Sequence, residues 1–295
     1  MNRRGAIGAH PVLVVGVDGT EAALVAVGWA AREAARRDAV LRLVAVTPWR
    51  ADPIAGANAV TRTVREAGRS AARAHLAIAA ERVADHLPVE RIERQVREGV
   101  PAEELGWASE EADLLVVGGP MGGWAGSLLG VALAGLSRCP LVVVERPGHP
   151  GPGAPVVVGI DGAEDADAAL SIALAEALDR GVPLEVVHAW SDAPLDGGDV
   201  DFAAFAPEVR RVLDARIGRA RRAFPEVEVR HTVVRDHPER ALAQASRGAQ
   251  LVVVGARGHA AAIPLGEVAR QVVLAADCPV AIVGAHCRAA VPAPS

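Results

Sequence analysis

The sequence predicts an α/β chain made of two doubly wound parallel-sheet domains, and three observations carry that reading. An apolar run ending on Asp-Gly occurs twice, as Val12-Leu13-Val14-Val15-Gly16-Val17-Asp18-Gly19 and as Val156-Val157-Val158-Gly159-Ile160-Asp161-Gly162. Other segments repeat in the same order at offsets of 137 to 143 residues: Pro101-Ala102-Glu103 with Pro238-Glu239-Arg240, Leu115-Val116-Val117-Gly118 with Val252-Val253-Val254-Gly255, and Cys139-Pro140-Leu141-Val142 with Cys278-Pro279-Val280-Ala281. Between the apolar runs lie longer Ala-, Arg- and Glu-rich stretches of helical period, the alternation that puts helices on both faces of a parallel sheet. The chain is a duplicated domain.

In the first repeat the Val/Leu runs predict strands near 12–18, 40–47, 89–97, 113–118 and 140–145. Helical periodicity predicts helices near 21–37, 60–86, 102–112 and 128–137. In the longest of these, Val64, Ala67, Ala71, Ala74 and Ile78 step by three and four and predict the buried stripe, with Arg62, Arg65, Arg69 and Arg73 on a wet face. The second repeat follows with strands near 155–161, 183–190, 226–234, 250–255 and 279–284, and helices near 165–180, 207–222, 239–249 and 266–276. Arg146-Pro147-Gly148-His149-Pro150-Gly151-Pro152-Gly153 sustains neither helix nor ladder and serves as the linker. The expected domains are therefore 1–146 and 153–288, with Ala289 to Ser295 frayed. The Cys-Pro strands, Leu141 to Glu145 and Val280 to Gly284, would each leave an apolar sheet edge, so the two domains are expected to pack through them as a pseudo-dimer.

Composition bounds the function. A chain of 295 residues that is 51% hydrophobic can bury two cores. A net charge of −5 and a pI near 6.0 give no long-range attraction to nucleic acid or to a membrane surface. No apolar stretch approaches the ~20 residues of a spanning helix, and a cytoplasmic location is expected. Cys139 and Cys278 sit at matching entries to core strands and Cys287 near the end, a pattern of reduced thiols, the first two buried. All 31 basic residues are Arg, which excludes a Walker lysine, a Schiff base and a Ser-Lys dyad.

In open parallel sheets, ligands bind beyond the carboxyl ends of the strands where strand order reverses. Asp18 and Asp161 fall at that edge, where a carboxylate accepts from ribose hydroxyls, helps hold a divalent ion, or simply caps the next helix. The fourth strand of each repeat runs into a glycine-rich loop, Gly118 to Gly130 and Gly255 to Gly266, whose backbone N–H groups can approach phosphate. Six arginines at 210, 211, 216, 219, 221 and 222 read as solvated helix surface ahead of a surface for an acidic partner. No pair of histidines at metal spacing and no Cys-x-x-Cys point to zinc. His188 reads as a satisfied strand histidine. Trp49 and Trp190, taken as equivalent strand-two ends, would cover a base ring or pack on the sheet edge.

Taken together, the Val-Gly-Val-Asp-Gly strand, Gly-Val-Pro-Ala-Glu-Glu-Leu at 99–105, Ala-Asp-Leu-Leu-Val-Val-Gly at 112–118, Gly-Ala-Arg-Gly-His at 255–259 and the Cys-Pro strands resemble a tandem universal stress protein. The resemblance runs from about Val12 to Val283. It implies five-stranded sheets of order 3-2-1-4-5, a role in stress adaptation and, in one branch of the family, a site for ATP or another adenine nucleotide, with Mg2+ as its companion ion. In that branch the strand-one Asp, here Asp18 or Asp161, meets the ribose region, and a residue late in strand two, Val46 or Ala189, meets adenine. The phosphate loops correspond to Gly118, Gly122 and Gly130 in the first repeat and to Gly255, Gly258 and Gly266 in the second.

Both loops depart from that branch's motif of Gly, two residues, Gly, nine residues, and Gly followed by Ser or Thr. In the first, Met121 stands at the second glycine, eight residues precede Gly130, and Val131 replaces the hydroxyl. In the second, seven residues separate Gly258 from Gly266, and Glu267 replaces the hydroxyl; it either faces the anion site, which Arg257 or His259 would offset only partly, or is an ordinary favourable first-turn acid if no phosphate binds there. Two function classes stand: a non-enzymatic, nucleotide-dependent stress protein with the first repeat as its binding site, and a nucleotide-free interaction or homodimerisation module with relic sites. A hydrolase on the same scaffold lacks an identifiable base, nucleophile or lysine.

Overall fold

The computed structural model describes residues 10–48, 59–119, 128–148, 150–161, 166–190, 202–256 and 265–287. The chain divides into two units, Met1–Glu145 and Arg146–Ser295. In the first unit the strands are β1 (Val12–Gly16), β2 (Val40–Pro48), β3 (Ile92–Gly99), β4 (Leu114–Gly118) and β5 (Leu141–Val144). They pair in parallel in the order β3-β2-β1-β4-β5, as the family resemblance implies. Val15 at the sheet centre lies between Leu43 and Val116. Crossovers run through α1 (Glu21–Arg36), α2 (Ala59–Val83), α3 (Pro101–Ala108, extended by a 3-10 turn at Ser109–Glu111) and α4 (Leu128–Leu136).

The second unit repeats the plan. Its strands are β6 (Val156–Gly159), β7 (Leu184–Trp190), β8 (Val229–Arg235), β9 (Leu251–Gly255) and β10 (Val280–Val283), and its helices α5 (Ala166–Arg180), α6 (Phe202–Arg221), α7 (Pro238–Ser246) and α8 (Glu267–Ala275). The order β10-β9-β6-β7-β8 is the same permutation. The inner strands are buried on both faces, which is why their runs are almost continuously Val and Leu: β4, β5, β9 and β10 have no exposed residue, whereas the outer strands β3 and β8 do. None of the described helices is long and apolar enough to cross a membrane.

Local chemistry sets the helix starts. Pro101 and Pro238 occupy the first turn of α3 and α7, where the missing N–H removes no intrahelical bond. Both helices then press a leucine onto the first strand of their unit. A Cβ at Gly16 would come to 3.3 Å from Leu105 Cδ1, and one at Gly159 to 2.7 Å from Leu242 Cδ1, so these glycines let the helices sit close to the sheet. Each unit also buries an ion pair at matching places on its first helix: Glu33 accepts from Arg36 at 2.6 Å and Arg37 at 3.4 Å, and Glu176 from Arg180 at 3.4 Å.

Two expectations are corrected. The stripe Val64, Ala67, Ala71, Ala74 and Ile78 of α2 is exposed, Val64 at 62% and Ile78 at 51%. The buried face is instead Ala72, Leu76, Ala79 and Val83. Alanines populate both stripes, so periodicity alone does not choose between them. What chooses is β3: Glu98 takes ion pairs from Arg65 and Arg69, fixing the rotation of α2 while both arginines keep part of their surface in water, as expected of that face. The second correction is at α6, which begins at Phe202 and keeps Pro207 inside it, at the loss of one intrahelical hydrogen bond.

Candidate functional site

At the carboxyl edge of the first unit, β1 ends beside both β2 and β4, the place where strand order reverses. Asp18 follows that end and is exposed. Its Oδ1 accepts from the Thr20 N–H at 2.9 Å and the Thr20 hydroxyl at 2.6 Å. Thr20 in turn caps α1 by accepting from Ala23 N–H at 3.2 Å. The helix cap is thus Thr20, with Asp18 one step behind it, and Oδ2 of Asp18 has no hydrogen-bond partner among the described residues.

The turn between them depends on Gly19, which sits at φ +85°. A Cβ there would fall 2.5–2.8 Å from Nε2, Cε1 and Cδ2 of His75 on α2. The imidazole therefore fills the space a side chain at 19 would need, and braces the turn that presents Asp18. Gly118, at the end of β4, supplies the other wall. A Cβ at 118 would stand 2.4 Å from the backbone of Ala22, so the first turn of α1 lies directly against the strand end. Gly118 is required by this packing as well as by any phosphate loop. Val46 is half-buried at the end of β2.

Gly130 does not end the loop. It lies inside the first turn of α4 and is buried. Helices α4 and α8 both end three residues before their cysteine, so the chain position matching Gly266 is Ser127. The loop holding Met121, Gly122 and Ser127 lies outside the described residues, as do Trp49, Arg257, Gly258 and His259.

In the second unit Asp161 is exposed and Ala189 half-buried at the matching strand ends. Val17 N–H donates to Val44 O at 2.8 Å and Ile160 N–H to Val187 O at 3.1 Å, so the register pairs Val46 with Ala189 and Thr47 with Trp190. Trp190 is therefore the counterpart of Thr47, which corrects its pairing with Trp49. His188 is satisfied: its Nδ1 meets Ile160 O at 2.8 Å, and since a carbonyl only accepts, Nδ1 carries the proton.

Gly266 is the N-cap of α8, and Glu267 is its first residue. The expectation that Glu267 faces the anion site is corrected. Its carboxylate is folded along the helix, paired with Arg270 and accepting from Gln271 Nε2 at 2.7 Å, and these bonds hold its pKa down at about 2. It is a first-turn acid with its charge answered by its own helix. Gly255 ends β9 half-buried. The thiols behave as structural groups. Cys139 and Cys278 are buried and in no disulfide, and burial pushes the Cys278 thiol up to about 12. Cys287, half-buried with its sulfur accepting from Gly284 N–H at 3.2 Å, is raised to about 11, again by burial.

Sequence reasoning missed His75 and Thr20. Thr20 was legible as the hydroxyl before a helix start, whereas nothing local ties His75 to a turn 56 residues earlier.

Comparisons with known proteins agree with this architecture. The model of the universal stress protein family matches residues 11–145 and again 154–284. Universal stress protein Rv2623 of Mycobacterium tuberculosis (strain ATCC 25618 / H37Rv) is 36% identical over 290 residues, covering 92% of this chain and 95% of that one. Universal stress protein Rv1996 of the same strain is 35% identical over 309 residues, covering 95% and 97%. A solved universal stress protein from Archaeoglobus fulgidus DSM 4304 superposes with a TM-score of 0.66 over 92% of this chain and 96% of that one, at 19% identity, and supports the fold. With two family matches spanning both units, the chain belongs to the universal stress protein family as a tandem, two-repeat member.

Proposed function

We propose that this universal stress protein is a cytoplasmic binder of one adenine nucleotide, ATP foremost, that acts in stress response through the bound state rather than through turnover, and that the nucleotide sits on the first unit. The observation that carries the proposal is the divided carboxylate of Asp18. Oδ1 is tied into the α1 cap through Thr20, which fixes the group in place, and Oδ2 is left toward solvent at the edge where open parallel sheets bind ligands. A pre-positioned acceptor of this kind suits ribose hydroxyls. Val46 at the end of β2 would meet the base. Gly118 and the start of α4 would face the phosphates through backbone N–H groups. No three acids, histidines or cysteines gather into a metal cage among the described residues, so Mg2+ would arrive on the phosphates.

The second unit is the weaker candidate on the length of its loop and not on Glu267, whose charge Arg270 answers. A second reading, a nucleotide-free interaction module, is favoured by the departures of both loops from the phosphate motif, Val131 and Glu267 standing where a hydroxyl belongs.

Calorimetric titration of ATP into the full chain tests the proposal. Loss of a charge-assisted hydrogen bond is worth about 1.5–3 kcal/mol, so Asp18→Ala should weaken binding by roughly ten- to a hundredfold while Asp161→Ala leaves it unchanged. If only Asp161→Ala weakens binding, the assignment to the first unit is wrong. No binding by the unmodified chain at millimolar ATP would establish the interaction-module reading.

A further inference from the structure

Trp107 is the one described tryptophan that faces solvent. It is 55% exposed on α3, whereas Trp29 is buried and Trp190 half-buried. Large aromatic surface left in water is unfavourable, and tryptophan is the residue most enriched at the centres of protein interfaces. A second exposed apolar side chain lies at the same seam. Leu136 of α4 is 42% exposed, and its Cβ stands 3.1 Å from where a Cβ of Gly106 would be, beside Trp107. Glu103 and Glu110, one helical turn either side of Trp107, are exposed and have no cationic partner among the described residues. The seam is thus an apolar centre with two unpaired acids at its rim, alongside the exposed Arg138, whose backbone N–H donates to Ser109 Oγ at 2.9 Å. It is particular to the first unit, because the offset of α7 from α3 places Gln244 at the position of Trp107 and the matching end of α8 is Ala275.

The opposite arrangement occurs on α6. Val212 is 54% exposed, Ala215 and Arg219 follow it at steps of three and four on the same face, and Arg222 lies exposed just past the helix end. Arg216 is held by Asp167 and Arg211 by Glu208. Arg219 and Arg222 have no carboxylate partner among the described residues. One chain therefore carries an apolar centre rimmed by two uncompensated acids and another rimmed by two uncompensated arginines. We infer that the α3–α4 seam of one copy receives the α6 face of a second copy, Val212 against Trp107 and Leu136, with Arg219 and Arg222 toward Glu103 and Glu110. Two different patches meet, so the contact is heterologous, and it closes into a ring or propagates as the rotation between copies dictates.

Sedimentation velocity on the full chain over a concentration series tests this, in low salt and at about 0.5 M NaCl, where rim charges are screened. Expected is association that grows as concentration rises and is weakened in high salt. Trp107→Ala and Val212→Glu should each raise the dissociation constant by tenfold or more. Mixing those two variants is the decisive arm: the intact α6 face of one meets the intact Trp107 seam of the other, and a 1:1 dimer that grows no further should form. Circular dichroism melts of each variant separate loss of contact from loss of fold, and the charge swap Glu103→Arg with Glu110→Arg, rescued by Arg219→Glu with Arg222→Glu, repeats the test without touching apolar side chains. A monomer at every concentration, association that survives Trp107→Ala, or a mixture that stays monomeric would overturn the inference.

Discussion

Two residues decide the character of the strand-one edge, and neither is the aspartate itself. Gly19 holds a left-handed turn whose Cβ space is taken by the His75 ring. Gly19→Ala therefore meets two penalties, the left-handed conformation and the clash, and should cost about 1–3 kcal/mol in a urea unfolding curve. Combining it with His75→Ala should lose less than the two single changes added together, since the smaller side chain removes the clash. Glu98 shows how an ion pair makes stability depend on pH. Hydrogen bonds from Arg65 and then Arg69 hold its folded carboxyl at about 2, below an ordinary value of 4.5. A depressed carboxylate contributes stability above its unfolded pKa and loses it as pH falls toward the folded one. Glu98→Gln should therefore lower the urea midpoint at pH 7, and the gap from the unmodified chain should close between pH 4.5 and pH 2. The pair is partly solvated, Arg65 being 43% exposed, so the effect is a screened one.

At the level of the element, α2 carries two helical stripes of similar hydrophobicity and only one is core. Leu76 is 3% exposed and Ile78 51%, two residues apart. Leu76→Ala should cost about 2–5 kcal/mol by leaving a cavity, while Ile78→Ala should stay within about 0.5 kcal/mol in the same denaturation assay. The reverse ranking would mean that α2 docks by the stripe that periodicity first suggests. Helices α4 and α8 make a related point. They occupy equal places before their Cys-Pro strands, yet α8 begins on a glycine N-cap with an acid tied to its own helix, and α4 carries its glycine inside the first turn. Equal topology does not give equal helix starts.

Across the whole molecule, duplication has produced two units of one topology with unequal edges. Asp18 keeps one oxygen for solvent among the described residues, and His75 braces its turn. In the second unit the nearby imidazole comes instead from β7, through His188 to Ile160. The proposed consequence is a stoichiometry of one nucleotide per chain, measurable by native mass spectrometry with ATP in excess; two per chain would show that the second edge is equally competent.

The α/β class, the repeat, the strand order implied by the family resemblance and the placement of Asp18 and Asp161 at strand ends were all legible in the sequence. They follow from short-range facts: buried parallel strands need continuous Val and Leu, turns need Gly, and duplicated segments keep their spacing. What the tertiary structure alone decided is which of two plausible faces is used. The rotation of α2 is chosen by Glu98 on β3, the register of Trp190 by β6, the turn at Gly19 by a histidine from α2, and the orientation of the Glu267 carboxylate by Arg270 and Gln271. Three of those four choices rest on residues brought together from separate elements, whose pairing energies enter only once the sheet has formed, and the fourth on a side-chain rotamer that spacing leaves open.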